Sequence, residues 1–310
     1  MRQGLRDNLM KENFRKILSV GAIAALTLMF AAGCAKEPQS QQGTAQASYT
    51  IKTAEADYVA YSLAEQVLKD IAEIKMIIPP GSQPHGFEPL PKDIAEIEKA
   101  QFLFYINDRL EPWAKKLGGD KAFPLERNLP EVDPADPHVW MDFDNIQVMA
   151  ENMAYHISSQ YPDTEKQLLK NILNFHNEVD MVKRIYGQML SNCEHKDIYH
   201  IGHLAFGYIA KRYGLNFKPL TGAKADAEPT PKDMAEMIKS IKENKVKYIF
   251  TEETLNPAIS QAIARETGAQ ILYLHTIEHV TKQEFEQKMT YRQLMLKNLD
   301  SLAKGLNCKA

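Results

Sequence analysis

From about residue 49 onward two patterns alternate along this chain. Short apolar runs of strand length, such as "FLFYI" (102–106) and "YIF" (248–250), resemble the strands buried in parallel sheets. "EIKMIIP" (73–79), "DIYHI" (197–201) and "QILYL" (270–274) have the same character. Between them lie stretches in which apolar residues recur at helical spacing, as in "NIQVMAENMAYHISSQY" (145–161). Strands alternating with helices predict an α/β fold with parallel sheets.

The pattern also repeats. "EPLPKDIAEI" (88–97) and "EPTPKDMAEM" (228–237) agree at seven of ten positions, and two of the differences exchange Ile for Met. Each copy runs from a Pro-started helix to a short apolar strand, a Glu-containing loop and another helix. In the second copy Thr230 is placed to cap the helix, Pro231 suits its first turn, and Asp233 completes a capping box. A repeat separated by more than a hundred residues predicts two similar α/β lobes with central parallel sheets. Between the copies, "DTEKQLLKNILNFHNEVDMVKRIYGQML" follows Pro162 and meets no glycine before Gly187. A helix of that length is too long for one small lobe, so we expect it to run along both as a stiff backbone that resists a wide hinge. The expected organisation is an N-terminal lobe over 49–160, a single long linking helix over 161–192, and a C-terminal lobe over 193–310.

The first fifty residues follow other rules. A basic start (Arg2, Arg6, Lys11, Arg15, Lys16) leads into "ILSVGAIAALTLMFAAGC". This is the plan of an export signal. The run is short for a membrane span and ends in Ala-Ala-Gly-Cys, which resembles a lipobox. Residues 1–33 therefore read as a lipoprotein signal peptide, with Cys34 as the acylated (palmitate-carrying) first residue of the mature protein. Met10 is an alternative start. The polar, aperiodic "AKEPQSQQGTAQAS" extends a flexible tether over 34–48. The folded part is then exported and lipid-anchored on the outer face of the cell membrane, at a cell surface or in a periplasm. There Cys193 and Cys308 are able to pair as a disulfide, the alternative being two unpaired thiols.

Composition changes the picture only by exclusion. The 310 residues are 44% hydrophobic and 25% charged, with a net charge of −3, which gives no footprint for nucleic acid.

The chemistry lies in the histidines. His85, His203 and His275 each fall just past an expected strand end, where open α/β sheets gather their ligands. His138 stands on the stiff turn "PADPHVWMDFDN" (134–145). Pro84 and Pro137 restrain the loops beside His85 and His138. Separate segments can thus bring imidazoles to one cleft, and imidazole suits tetrahedral zinc. Asp136, Asp142 or Asp144 could take the other nitrogen of His138. His156 and His176 fall in helical stretches and read as solvated faces, while His200 lies inside a strand.

Four segments carry a family resemblance over residue 49 to the C-terminus. They are "PPGSQPHGFEPLPKDIAEIEKAQFLFY", "DPHVWMDFDN", "GHLAFGYIAKRYGL" and "YIFTEETLNPAISQAIARETGAQILYL". The chain resembles the zinc- and manganese-binding solute-binding lipoproteins of ABC transporters. The resemblance implies two α/β lobes joined by one long helix, with the metal in the cleft between them. It implies His85, His138 and His203 as ligands. The fourth ligand, usually Asp, falls on His275, with His279, Glu278 or water as alternatives. Glu252 and Glu278 are candidates to balance the charge of the ion, and Asp142 to orient a ligand. Imidazole ligands favour Zn2+ over Mn2+ as cargo. The implied function is extracytoplasmic capture of a divalent metal by a monomer and its delivery to an ABC permease and its ATPase, with no chemistry performed on the cargo. The alternatives are a manganese-binding homologue, a metal-binding adhesin and, remotely, a zinc metallopeptidase using "HTIEH" (275–279), which would require that segment to be helical.

Overall fold

Among the described residues the named strands all pair in parallel, and the two halves of the chain repeat one topology. The structure, a computed structural model, describes residues 50–222, 229–252 and 257–309. The expected signal peptide (1–33), Cys34 and the expected tether (34–48) lie outside the described residues. In the first half, β1 (Ile51–Glu55), β2 (Ala72–Met76), β3 (Phe102–Tyr105) and β4 (Ala122–Pro124) form a sheet in the order β2-β1-β3-β4. In the second, β5 (Asp197–Ile201), β6 (Asn216–Pro219), β7 (Tyr248–Thr251) and β8 (Gln270–Tyr273) form a sheet in the order β6-β5-β7-β8. The registers match in kind, with Glu55 beside Phe104 in one sheet and Ile201 beside Thr251 in the other.

Helices α1 (Tyr58–Val67), α2 (Pro91–Lys99) and α3 (Pro112–Gly118) connect the first set of strands. Helices α6 (Gly207–Tyr213), α7 (Pro231–Glu243) and α8 (Pro257–Thr267) connect the second. The repeated motif accounts for α2 and α7. Thr230 Oγ1 accepts from the Asp233 amide at 3.2 Å, and the Asp233 carboxylate takes the Thr230 amide at 3.0 Å. In the first copy Leu90 stands where Thr230 does. Only the return bond survives, from the Leu90 amide to Asp93 Oδ2 at 2.9 Å. Each sheet buries an apolar face of its own. Ile77, Ile97, Leu103 and Tyr105 belong to one core, and Tyr199, Ile201, Ile241 and Ile249 to the other.

Helix α4 (Phe143–Gln160) is followed by a 3-10 turn at Pro162–Thr164 and then α5 (Glu165–Ser191). The 27 residues of α5 span about 40 Å at 1.5 Å per residue. Its buried residues Leu168, Ile172, Phe175, Val179, Val182, Tyr186 and Leu190 recur every three or four positions. This stripe packs on α1 and α4 from the first half. It also packs on α6 and on the C-terminal α10 (Tyr291–Gly305) from the second. Polar bonds pin both ends. Asn171 Nδ2 donates to Val67 O at 2.9 Å, and the Tyr186 hydroxyl donates to Met295 O at 2.6 Å. Just beyond α5, Cys193 is bonded to Cys308, which follows α10.

One expectation fails here. His156 is not a solvated face: its ring stacks on Phe123 at 4.0 Å and meets Phe102 and Phe104 edge-on. His176 on α5 is also partly covered, with Nε2 3.7 Å from Glu151 Oε1. Among the described residues no helix is long and apolar enough to cross a membrane.

Candidate metal centre

The carboxyl ends of both sheets face one cleft, and four loops deliver side chains into it. His85 comes from the loop after β2. His138 comes from the loop after β4, immediately before the 3-10 turn Val139–Met141. His203 follows β5, and Glu278 follows β8 in a loop that ends at the short helix α9 (Lys282–Glu286). One donor atom from each of these four lies within 4.8 Å of the other three.

The separations are short. His138 Nε2 is 3.3 Å from His85 Nε2 and 3.0 Å from His203 Nε2. Glu278 Oε2 lies 3.1 Å from His85 Nε2 and 3.5 Å from His138 Nε2, and Glu278 Oε1 lies 3.7 Å from His203 Nε2. Tetrahedral zinc with bonds near 2.0–2.1 Å has ligand edges of about 3.3 Å. The donor set, three imidazoles and one carboxylate, is a zinc set in both number and softness. Glu278 Oε1 is buried and has no hydrogen-bond donor, the condition that a cation relieves.

Two of the rings are held from behind. His138 Nδ1 is 2.7 Å from Asp136 Oδ1, which also accepts the His138 amide at 3.0 Å. Asn107 Nδ2 fixes the same turn by donating to Pro137 O at 3.1 Å. His203 Nδ1 is 2.8 Å from Glu252 Oε1 at the end of β7. These carboxylates set the tautomer, so that each Nε2 faces the cleft. Gly202 makes the second pairing possible, because a Cβ there would come within 2.5 Å of Glu252 Oε1 and of the His200 ring. His138 and His203 are fully buried, whereas 9% of the His85 side chain remains exposed.

Charge follows from these contacts. Burial pulls the His138 imidazole down, but the hydrogen bonds and charges of Asp136 and Glu278 outweigh it, and the ring is pushed up to about 9. Burial raises Glu278, yet the imidazoles of His138, His279 and His85 around it hold it well below the usual range. Burial likewise opposes Glu252, and His203 brings it below its ordinary value. Behind Glu278 stand two further acids that sequence reasoning missed. Asp57, at the N-cap of α1, is pushed up to about 7 by burial, with the charge of Glu278 contributing. Glu111, before α3, is raised by burial and by Asp57. Their only sequence signal was an acid just past a strand end.

The structure brings together His85, His138 and His203 and adds Glu278, which sequence reasoning ranked behind His275. His275 is turned away: its Nδ1 accepts from the Ile277 amide at 2.9 Å and its Nε2 lies 3.5 Å from Glu284 Oε2. His279 lies beside the cluster, with Nδ1 3.6 Å from Glu278 Oε1. Asp142 does not touch a ligand. It caps α4 and pairs with Arg212 at 2.6 Å, so Asp136 is the partner of His138. His200 is fully buried in β5, where burial pushes it down to about 4, and it packs on Phe206 and Phe217. The segment 275–279 is not helical. His275 and His279 therefore do not share a helix face, and the metallopeptidase arrangement is not built.

Known proteins carry the same organisation. The family described as "ZnuA: Zinc-uptake complex component A periplasmic" matches residues 56–305. The high-affinity zinc uptake system protein ZnuA of Bacillus subtilis (strain 168) is 30% identical over 96% of this chain and 100% of its own length. The zinc-binding lipoprotein AdcA of Streptococcus pneumoniae is 28% identical over 90% of this chain, which spans 59% of that longer protein. The crystal structure of the Zn(II)-bound ZnuA-like domain of Streptococcus pneumoniae AdcA superposes with a TM-score of 0.74 at 27% identity, over 84% of this chain and 100% of that domain. A laminin-binding protein (Lmb) of Streptococcus agalactiae, described as having adhesin and metal-transporting activity, gives 0.76 at 29% identity, over 83% and 99%. By its matched span, its doubled parallel-sheet topology and its cleft of histidines, this chain belongs to the family of zinc-uptake complex component A (ZnuA) proteins.

Proposed function

We propose that this protein captures Zn2+ outside the cytoplasm and hands it to an ABC permease driven by its ATPase. His85, His138, His203 and Glu278 are the ligands, with Asp136 and Glu252 orienting two of the rings. One observation carries this reading: four donor atoms from four separate loops lie within 4.8 Å of one another in a buried cleft. The zinc-uptake and zinc-binding names of its relatives support the same cargo. Zinc is cargo here, bound and released unchanged, so the protein acts as a binding component and not as an enzyme.

Capture follows from the donor chemistry. A site with Glu278 and Glu252 held as carboxylates attracts a dication, and three imidazoles exchange for part of its water shell. His138 and His203 are pre-oriented, which lowers the cost of ordering them on binding. Three nitrogens and one oxygen favour zinc over manganese, which prefers oxygen ligands and a larger coordination number. We further propose that Cys34 carries the lipid anchor, that 34–48 is the tether, and that the protein works as a monomer of two lobes, 49–160 and 193–310, about the linking helix 161–192.

The test is zinc titration calorimetry on purified apo protein, with manganese in competition. Zinc is expected to bind at one site per chain and to displace manganese. His138→Ala is expected to weaken zinc by more than about 100-fold, beyond the range for disturbing an outer-shell partner, while the far-ultraviolet circular dichroism of the apo form is unchanged. Equal zinc affinity in His138→Ala would rule the site out.

A further inference from the structure

Glu278 reaches the cluster from a backbone that resists the shape it takes. The preceding residue, Ile277, has φ +69° and is fully buried. A β-branched residue adopts this left-handed conformation only when its surroundings impose it. Bonds on both sides fasten the loop. Trp140 Nε1 donates to Thr276 O at 2.8 Å, the Tyr58 amide to Glu278 O at 3.3 Å, and the Gly81 amide to Val280 O at 2.7 Å. The bond at the strained residue itself runs from the Ile277 amide to His275 Nδ1 at 2.9 Å.

His275 is fixed to receive that bond. Asn298 grips its main chain twice, accepting from the His275 amide at 2.6 Å and donating to His275 O at 2.8 Å. An imidazole that accepts at Nδ1 carries its proton on Nε2. That nitrogen faces Glu284 Oε2 at 3.5 Å, and Glu284 also pairs with Lys297 at 3.1 Å. The ring is therefore oriented from both ends.

We propose that His275 is a positioning residue for the fourth ligand. By accepting from the Ile277 amide it holds residue 277 left-handed, and this turns the Glu278 carboxylate toward His85, His138 and His203. The inference rests on the reading of Glu278 as a zinc ligand.

The test compares His275→Phe, His275→Asn and the double variant His275→Phe/Ile277→Gly, with Glu278→Ala as control. Asparagine offers an amide oxygen where Nδ1 sits. Glycine accepts the left-handed conformation without strain. Zinc affinity is read by chelator competition. Co2+ is the second probe, because its visible absorption is strong when four-coordinate and weak when water raises the coordination number. His275→Phe is expected to bind zinc roughly 10- to 100-fold more weakly and to lose the strong cobalt band. His275→Asn and the double variant are expected to regain both. In the unsubstituted protein, 15N shifts are expected to show an unprotonated His275 Nδ1 before and after zinc. A protonated Nδ1 would overturn the proposal whether or not the Phe variant folds. So would an unaltered His275→Phe beside a weakened Glu278→Ala, or failure of both the Asn and the double variant to recover. An unaltered Glu278→Ala would instead overturn the ligand assignment itself.

Discussion

His138 faces two carboxylates at once, Asp136 through Nδ1 at 2.7 Å and Glu278 at 3.5 Å from Nε2. That arrangement fixes the proton inventory of capture. Its imidazole is pushed up to about 9, against burial, by these two partners, so without metal it is protonated at neutral pH. Zinc needs the lone pair on Nε2 and must expel that proton. Affinity is therefore expected to fall about tenfold for each pH unit below 9 from this residue alone. The ordinary imidazole range near 6.5, read from sequence alone, would place the loss much lower. Calorimetry at pH 7 in buffers of different ionisation enthalpy counts the protons directly. At least about one proton released per zinc is expected, and Asp136→Asn should release fewer because one of the two supporting charges is gone. Binding without proton release would contradict this account of His138.

At the scale of elements, the two copies of the Pro-Lys-Asp motif form a natural comparison. Thr230 closes a reciprocal cap on α7, whereas Leu90, 55% exposed, leaves α2 with half of one. Leu90→Thr is expected to raise stability by about 0.5–1 kcal/mol, read as a higher denaturant midpoint at unchanged slope, with zinc affinity unaltered. A lower midpoint would mean that Leu90 contributes contacts worth more than the cap. The same comparison explains what was legible in the sequence. Strand runs, Pro-started helices and the long stripe of α5 are local patterns, and each predicted its element. His85, His138 and His203 were legible because each follows a strand end or a proline-stiffened turn. The choice between His275 and Glu278 was not local. The segment 274–281 has no periodicity, and its direction depends on Ile277 being held left-handed by His275 and on the bond from Trp140, 136 residues earlier in the chain. His156 was misread for a related reason. Helical spacing marks a face, but the ring that covers that face, Phe123, comes from β4.

Over the whole molecule, the buried acids shift in opposite directions. Glu278 and Glu252 are held low by their histidines, so their contributions are present above the unfolded value and are lost as pH falls through the folded one. Glu55, Asp57 and Glu111 are raised, chiefly by burial. For Asp57 the folded value is about 7, against roughly 3.9 when unfolded. Folded protein thus keeps a proton that unfolded chain gives up between about pH 4 and 7. Its contribution is fully present below the unfolded value and is lost as pH rises through the folded one, by an amount on the order of a few kcal/mol. The two groups together predict that the apo protein is most stable in mildly acidic solution and weakens toward neutrality. Zinc opposes the trend by mass action, because it binds the folded form and binds it more tightly as pH rises. Asp57→Asn isolates the acid arm, since Oδ1 can still accept from the Ala60 amide, a 2.9 Å bond in the present structure, while the titration is removed. Urea unfolding in the presence of a chelator should show wild-type stability falling from pH 5 to pH 7 and that of the Asp57→Asn variant falling much less. Parallel curves for the two proteins would show that Asp57 is ionised throughout, and that the cleft accepts a dication with more negative charge already in place.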